Sequence, residues 1–141
     1  MVIAVAIGLG LLIAVGGLKV GAANGTTTTT LPSGCVKPVG GFLLVTTNLG
    51  WNNSILHGTL PYPILTVTEG QNVTIVVCNI DNQDHGVQIY HYYDSSIVSE
   101  APGQVLTVNF VADKAGSFEI FCSIFCTIHP QMIGELNVTS A

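Results

Sequence analysis

The chain has 141 residues, of which 48% are hydrophobic and only 8% charged, and its formal net charge is -5. Its three basic residues are all lysines, so neither the basic face that nucleic-acid binding requires nor a polybasic membrane-surface patch can be built. The length predicts one domain with its own hydrophobic core and a short additional segment.

The additional segment is the apolar N-terminus. Residues 1–18 contain no charged side chain, and Lys19 ends the run. The run approaches the length of a membrane span, exceeds the usual core of a signal peptide and lacks the basic start of a secretory signal. We therefore expect residues 1–23 to form an uncleaved anchor with one transmembrane helix, and a cleaved signal peptide is the alternative. Residues 24–41, rich in Thr, Pro and Gly, are predicted to be a linker.

The rest of the chain, residues 42–141, has the pattern of short β-strands. Apolar and polar residues alternate, β-branched residues are frequent, and Gly or Pro turns separate the segments. The chain beyond residue 31 has no sustained helical period. The predicted strands include residues 64–68, 73–79, 87–92, 105–111, 117–122 and 133–138. This pattern predicts an all-β domain, a Greek-key β-sandwich or barrel.

One loop between the last two predicted strands is rich in soft metal ligands. It contains Cys122, Cys126, His129 and Met132, and His85 in an earlier turn offers another imidazole. Thiolate, imidazole and thioether groups together favour copper over hard cations such as Mg²⁺. A disulfide or a core methionine would explain each residue alone, but their joint occurrence favours a metal site.

Residues 103–136 resemble the copper domain of subunit II of haem-copper cytochrome c oxidases, which carries the binuclear CuA centre. The shared features are a Pro-Gly turn, a strand, a Gly turn, an aromatic-rich strand, and Cys-x3-Cys followed by His, Met and Gly. Upstream, the His-Gly-Val-Gln-Ile run of residues 85–89 resembles the segment that supplies the family's other histidine. The resemblance covers roughly residues 43–138 and implies a cupredoxin-like fold.

The same resemblance implies a set of metal ligands, a cellular location and partner proteins. The family's two bridging thiolates correspond to Cys122 and Cys126, and its two histidines correspond to His85 and His129. Its weak thioether corresponds to Met132, and its backbone-carbonyl ligand to Ile124. As in ba3-type oxidases, a single anchor would hold the copper domain on the extracytoplasmic side of the cell membrane. The implied partners are haem-copper oxidase subunit I and an external electron donor such as a cytochrome c or small copper protein.

The number of copper ions is open from the sequence. Two residues separate Cys126 from His129, where related CuA loops have three, and the tail from Cys126 to Met132 resembles the loop of amicyanin, a mononuclear blue-copper protein. In blue-copper proteins, however, the ligand cysteine comes six residues after the turn glycine, and counting from Gly116 gives Cys122. We therefore favour a binuclear site, with a single type 1 copper as the alternative.

Three functions compete. The first is an electron-entry subunit of an oxidase, the second a membrane-tethered mononuclear blue-copper carrier, and the third a thiol-disulfide or copper-delivery protein. The thioredoxin-like βαβ pattern expected around a reactive dithiol is absent from the sequence. No acid-base or nucleophile-base arrangement remains once the ligands are assigned, so an enzyme by itself is not expected.

A few further residues carry weaker expectations. Cys35 and Cys78 form either a disulfide or two separate thiols. Trp51 is expected in ordinary packing, with an exposed ring near copper as the alternative. Surface positions are expected for His57 and His91, an acidic rim for Asp81 and Asp84, and an apolar shell around the metal for Phe118, Phe121, Phe125 and Ile128.

Overall fold

Two four-stranded β-sheets make up most of the computed structural model, which describes residues 30–94 and 99–141. The strands are β1 (Phe42–Thr47), β2 (Gly50–Trp51), β3 (Ile64–Thr68), β4 (Asn72–Asn79), β5 (Gln88–Ile89), β6 (Val105–Val111), β7 (Gly116–Phe121) and β8 (Ile133–Thr139). Short 3-10 helices cover Ser54–His57 and His129–Gln131. The predicted anchor, residues 1–23, lies outside the described ranges, within which no helix is long and apolar enough to cross a membrane.

The chain passes repeatedly from one sheet to the other. The first sheet has the order β2-β1-β4-β6 and the second has the order β3-β8-β7-β5. The pairs β1–β4 and β3–β8 are parallel, and the remaining neighbours are antiparallel. The predicted all-β sandwich is therefore confirmed, with the core enclosed between the two sheets.

Side-chain alternation explains which residues fill that core. In β4, Val73, Ile75 and Val77 face the second sheet, whose Leu136 and Val138 lie in the same buried cluster. Side chains two residues apart point to the same face of a strand, so the period-two pattern in the sequence becomes one apolar surface. Burial of each such side chain contributes about 1.5–3 kcal/mol to folding.

The outer face of β4 is also covered. Val76 and Cys78 point away from the main core and form a second cluster with Cys35. Cys35 and Cys78 are joined by a disulfide, with their Cα atoms 5.7 Å apart. Of the two alternatives for these cysteines, the disulfide is confirmed. It attaches the second half of the segment predicted as a linker to the first sheet.

The predicted strands agree with the structure except near residue 90. Strands β3 and β6 have the predicted bounds, β4 and β8 differ from them by one residue at one end, and β7 is shifted by one residue at both ends. The prediction of a strand over residues 87–92 is wrong, because only Gln88–Ile89 pair with β7. The backbone then turns, with His91 at a φ of 70° and the Tyr93 N–H donating to the Ile89 carbonyl at 2.8 Å.

Candidate metal centre

The candidate centre lies where segments from the two sheets meet at one end of the sandwich. His85 follows β4 of the first sheet, and residues 122–132 connect β7 to β8 of the second. The loop closes on itself, because the Cys122 N–H donates to the Met132 carbonyl at 3.3 Å and the Met132 N–H to the His129 carbonyl at 3.1 Å. These bonds hold the first and last residues of the loop together.

The sulfur atoms and one imidazole nitrogen form a compact group. The Sγ atoms of Cys122 and Cys126 are 3.7 Å apart, Cys126 Sγ lies 3.6 Å from Met132 Sδ, and Cys122 Sγ lies 4.0 Å from His85 Nδ1. All four side chains are buried. Donor atoms placed tetrahedrally at a metal–sulfur bond length of about 2.3 Å are about 3.8 Å apart, so these spacings fit ligands of one metal site.

The other two predicted ligands, Ile124 and His129, are joined to each other by a hydrogen bond. The Ile124 carbonyl accepts hydrogen bonds from the Cys122 thiol at 3.1 Å and from His129 Nδ1 at 3.0 Å. His129 is half-buried, and it touches the group through Ile124. The structure thus brings together the side chains of His85, Cys122, Cys126 and Met132, with the Ile124 carbonyl beside Cys122. His129 lies outside the close group of His85, Cys122 and Cys126.

The two thiols differ in their readiness to ionise. Burial alone would raise the pKa of Cys122, but hydrogen bonds with His85 and with the Gly86 and Ile124 backbone lower it to about 7. Burial and then the negative charge of Cys122 raise the pKa of Cys126 to about 12. A reactive dithiol needs a partly exposed thiolate, and both sulfurs here are buried, which speaks against a thiol-exchange function.

Asp81 holds His85 in the orientation that metal binding needs. The Asp81 carboxylate oxygen Oδ2 lies 2.9 Å from His85 Nε2, so the Nε2–H can donate to it and leave the Nδ1 lone pair facing Cys122. Burial lowers the pKa of His85, but the hydrogen bonds with Cys122 and Asp81 raise it overall.

The prediction of an acidic rim is wrong for Asp81, because Asp81 is buried, whereas Asp84 is exposed. The signal in the sequence was its position four residues before a candidate ligand.

Glu100 is a functional neighbour that the sequence analysis missed. Its backbone pairs with that of His85, through N–H···O bonds of 2.7 and 3.1 Å, and its side chain is only 2% exposed. Among residues 30–94 and 99–141, neither carboxylate oxygen has a hydrogen-bond partner. Burial, and then the negative charge of Cys122, raise the pKa of Glu100 to about 7. No motif in the sequence marks this residue.

The predictions for Trp51, for Phe125 and for two histidines can be compared with the structure. Trp51 is fully buried, so ordinary packing is confirmed and the exposed-ring alternative is wrong. Phe125 does not belong to an apolar shell, because 93% of it is exposed, and its ring lies 6.3 Å from that of His129. His57 and His91 are exposed, as predicted.

The donor set fits copper. Two thiols, an imidazole and a thioether are soft ligands, and thioether is not among the usual zinc ligands. The buried carboxylate of Asp81 contacts the remote nitrogen of His85 and so orients a ligand, where a hard cation would take carboxylates as ligands. Elsewhere in residues 30–94 and 99–141, no other three His, Cys, Asp or Glu side chains gather closely enough to hold a metal.

Comparison with curated proteins gives partial matches to nitrous-oxide reductases. The chain is 36% identical over 80 residues to the nitrous-oxide reductase of Stutzerimonas stutzeri, which covers 54% of this chain and 12% of the relative. It is 35% identical over 74 residues to that of Ralstonia nicotianae, covering 50% of this chain and 11% of the relative. The match thus spans about an eighth or less of these relatives. No family profile matches the chain.

Comparison with solved structures gives the fold. Copper nitrite reductase from Nitrosomonas europaea matches with a TM-score of 0.59 and 20% identity, over 71% of this chain and 41% of that one. Reduced auracyanin from Roseiflexus castenholzii matches with a TM-score of 0.52 and 18% identity, over 70% and 96% of the two chains. The two-sheet sandwich is thus a cupredoxin-like fold, and its buried His, Cys and Met donors form a copper site.

Proposed function

We propose that this chain is an electron-transfer protein with a binuclear CuA-type centre. The observation that carries the proposal is that both thiols of the Cys-x3-Cys loop point into one buried site, 3.7 Å apart. Each thiol also contacts a different further donor, Cys122 the Ile124 carbonyl and Cys126 the Met132 thioether. A mononuclear site needs only one thiolate, whereas two bridged metals use both.

The residues around the centre suit rapid electron exchange. When bound, copper supplies one-electron oxidation and reduction. The buried thiols and Met132 exclude water, and Asp81 fixes the ring of His85. His129 reaches the surface, where the exposed ring of Phe125 lies beside it. We place the exchange of electrons with partners at this face.

The partners in this proposal follow from resemblance and from the N-terminal sequence. The likeness to oxidase subunit II supports delivery of electrons from an external donor to haem-copper oxidase subunit I, and the apolar residues 1–18 support attachment to the cell membrane on its extracytoplasmic side. The partial relatives are reductases, and a reductase also consumes electrons. Delivery of electrons is the role that the buried thiolate, imidazole and thioether donors support.

A mononuclear blue-copper carrier is the second candidate. The two-residue spacings from Cys126 to His129 and from His129 to Met132 favour it, because they match the amicyanin-type loop. In this alternative Cys126 alone would supply the thiolate, and Cys122 would be a buried neighbour.

Copper content and electron spin resonance distinguish the two candidates. For the unaltered chain we expect two copper ions per chain and a seven-line hyperfine pattern from one electron shared by two nuclei. Cys122→Ser and Cys126→Ser should each abolish that pattern, because a hydroxyl is a poor bridging ligand. The matched control is the double variant Cys35→Ala/Cys78→Ala, which alters two cysteines outside the site.

One copper per chain, a four-line pattern, and a blue site that survives Cys122→Ser would overturn the binuclear proposal and leave the mononuclear carrier. A protein that binds no copper after reduction of its thiols would overturn both.

A further inference from the structure

The side chain of Gln83 joins the two ligand-bearing segments. Its Nε2 donates to the Thr127 hydroxyl at 2.8 Å, and its Oε1 accepts the Thr127 backbone N–H at 3.3 Å. The amide therefore holds Thr127 through both the side chain and the backbone. Thr127 directly follows Cys126 in the ligand loop, and Gln83 comes two residues before His85 in the turn after β4.

The same amide is connected to the imidazole of His85. Gln83 Nε2 lies 3.3 Å from Asp81 Oδ2, the oxygen that contacts His85 Nε2 at 2.9 Å. Hydrogen bonds thus run from Thr127 through Gln83 and Asp81 to His85. These hydrogen bonds connect the ligand His85 to Thr127, the residue that follows the ligand Cys126.

The turn that carries Gln83 is itself fixed by a buried asparagine. Asn79 Nδ2 donates to the carbonyls of Gln83 and Glu100, each at 2.7 Å, and Asn79 Oδ1 accepts the Asp81 N–H at 2.9 Å. Asn79 is the last residue of β4 and is fully buried. The backbone of Gln83 is therefore held by hydrogen bonds to the first sheet, while its side chain contacts the ligand loop.

We propose that Gln83 is a positioning residue that sets the separation of His85 from Cys126 by clamping Thr127 against the turn. The proposal rests on the copper site proposed above. The two segments belong to different sheets, so small sliding of one sheet over the other would change the distance between ligands. Polar groups that orient ligands typically alter metal affinity 10–100-fold when removed. A clamp between the two sheets would keep the distance from His85 to Cys126 constant when a bound copper ion is oxidised or reduced.

The test compares variants of the copper-loaded full chain. Gln83→Leu removes the amide, and Thr127→Val removes the hydroxyl while it keeps the shape. We expect each to release copper to a chelator about tenfold faster than the unaltered chain. Their double variant should be no faster than Gln83→Leu alone, because both changes break one interaction. Thr127→Ser, which keeps the hydroxyl, should restore slow release.

Gln71→Leu is the matched control. Gln71 is also half-buried in a turn, and its side chain accepts the Thr68 N–H at 3.2 Å, in a turn at the other end of β4 from the copper site. The urea midpoints of the two glutamine variants should be similar, while the hyperfine pattern changes only in Gln83→Leu. If Gln83→Leu does not fold, Gln83→Glu and Thr127→Val carry the test.

Equal release from Gln83→Leu and Gln71→Leu would overturn the clamp, and so would multiplication of the two single effects in the double variant. Either result leaves the copper function standing. A chain that never binds copper would overturn the proposed function and the clamp together.

Discussion

The fold contains two cysteine pairs that have opposite chemistry. Cys35 and Cys78 form a disulfide on the outer face of the first sheet, among apolar side chains. Cys122 and Cys126 are also buried and close, yet they are free thiols with sulfurs 3.7 Å apart.

The difference lies in what surrounds each pair. The apolar surroundings of the Cys35–Cys78 pair offer nothing that would stabilise a thiolate, so a covalent bond is the suitable outcome there. Around the second pair, His85 and backbone groups lower the pKa of Cys122, and Met132 adds a soft sulfur. Proximity alone therefore does not decide between a disulfide and a metal site; the neighbouring donors do.

The largest expected effect comes from removing the disulfide. The bond closes a loop of 43 residues, and a loop of that length contributes about 4 kcal/mol in the chain-entropy account. Cys35→Ala/Cys78→Ala should lower the free energy of unfolding in urea by about that amount. Copper content and spectrum should stay unchanged, because no ligand contacts this pair. A changed spectrum would show that the two pairs are coupled.

A smaller effect is expected from Glu100, the unpartnered carboxyl beside the site. Its pKa is raised from 4.5 to about 7 in the folded protein, so folding favours the protonated form. Protonated Glu100 makes its full contribution to the free energy of unfolding below about pH 4.5. That contribution declines as the carboxyl ionises in the unfolded chain, and about 3 kcal/mol is lost by about pH 7. Urea unfolding of the copper-free chain should show this decline.

Glu100→Gln is the comparison that isolates this carboxyl. The other ionisable groups of this region, His85, Asp81, Cys122 and Cys126, are the same in both proteins, so only the difference between the two curves reports Glu100. That difference should be near zero at pH 4.5 and should favour the variant at pH 8. Parallel curves would contradict the prediction.

The smallest effect on stability is expected at Met132, the thioether beside the free pair. Met132→Leu conserves volume in a fully buried position, so unfolding should change by less than about 1.5 kcal/mol. Most of the copper should remain bound, because thioether is the weak ligand of the set. The reduction potential should rise, since the lost lone pair stabilises the oxidised metal more than the reduced one. Electrochemistry of the loaded protein measures this, and complete loss of copper would mean that Met132 is a structural ligand.

Local patterns in the sequence were sufficient to predict most of the sandwich. Alternation fixed β3 and β6, and the Cys, His and Met spacing identified the loop that forms the site. The burial of Asp81 and the contact between Gln83 and Thr127 were not predictable, because each depends on how two distant segments meet. The strand over residues 87–92 failed for a related reason, since the backbone turns after Ile89 although the alternation continues.

The origin of the ligands from two sheets has a consequence for when the metal can be taken up. His85 follows β4, whereas the cysteines lie between β7 and β8, and these strands meet only when the sandwich closes. A newly made chain therefore offers at first only a Cys-x3-Cys loop, and the complete site arises late in folding. Because copper would bind the closed state far better than the open chain, loading favours the native state by mass action. Metal uptake by this protein is thus expected to follow closure of the two sheets.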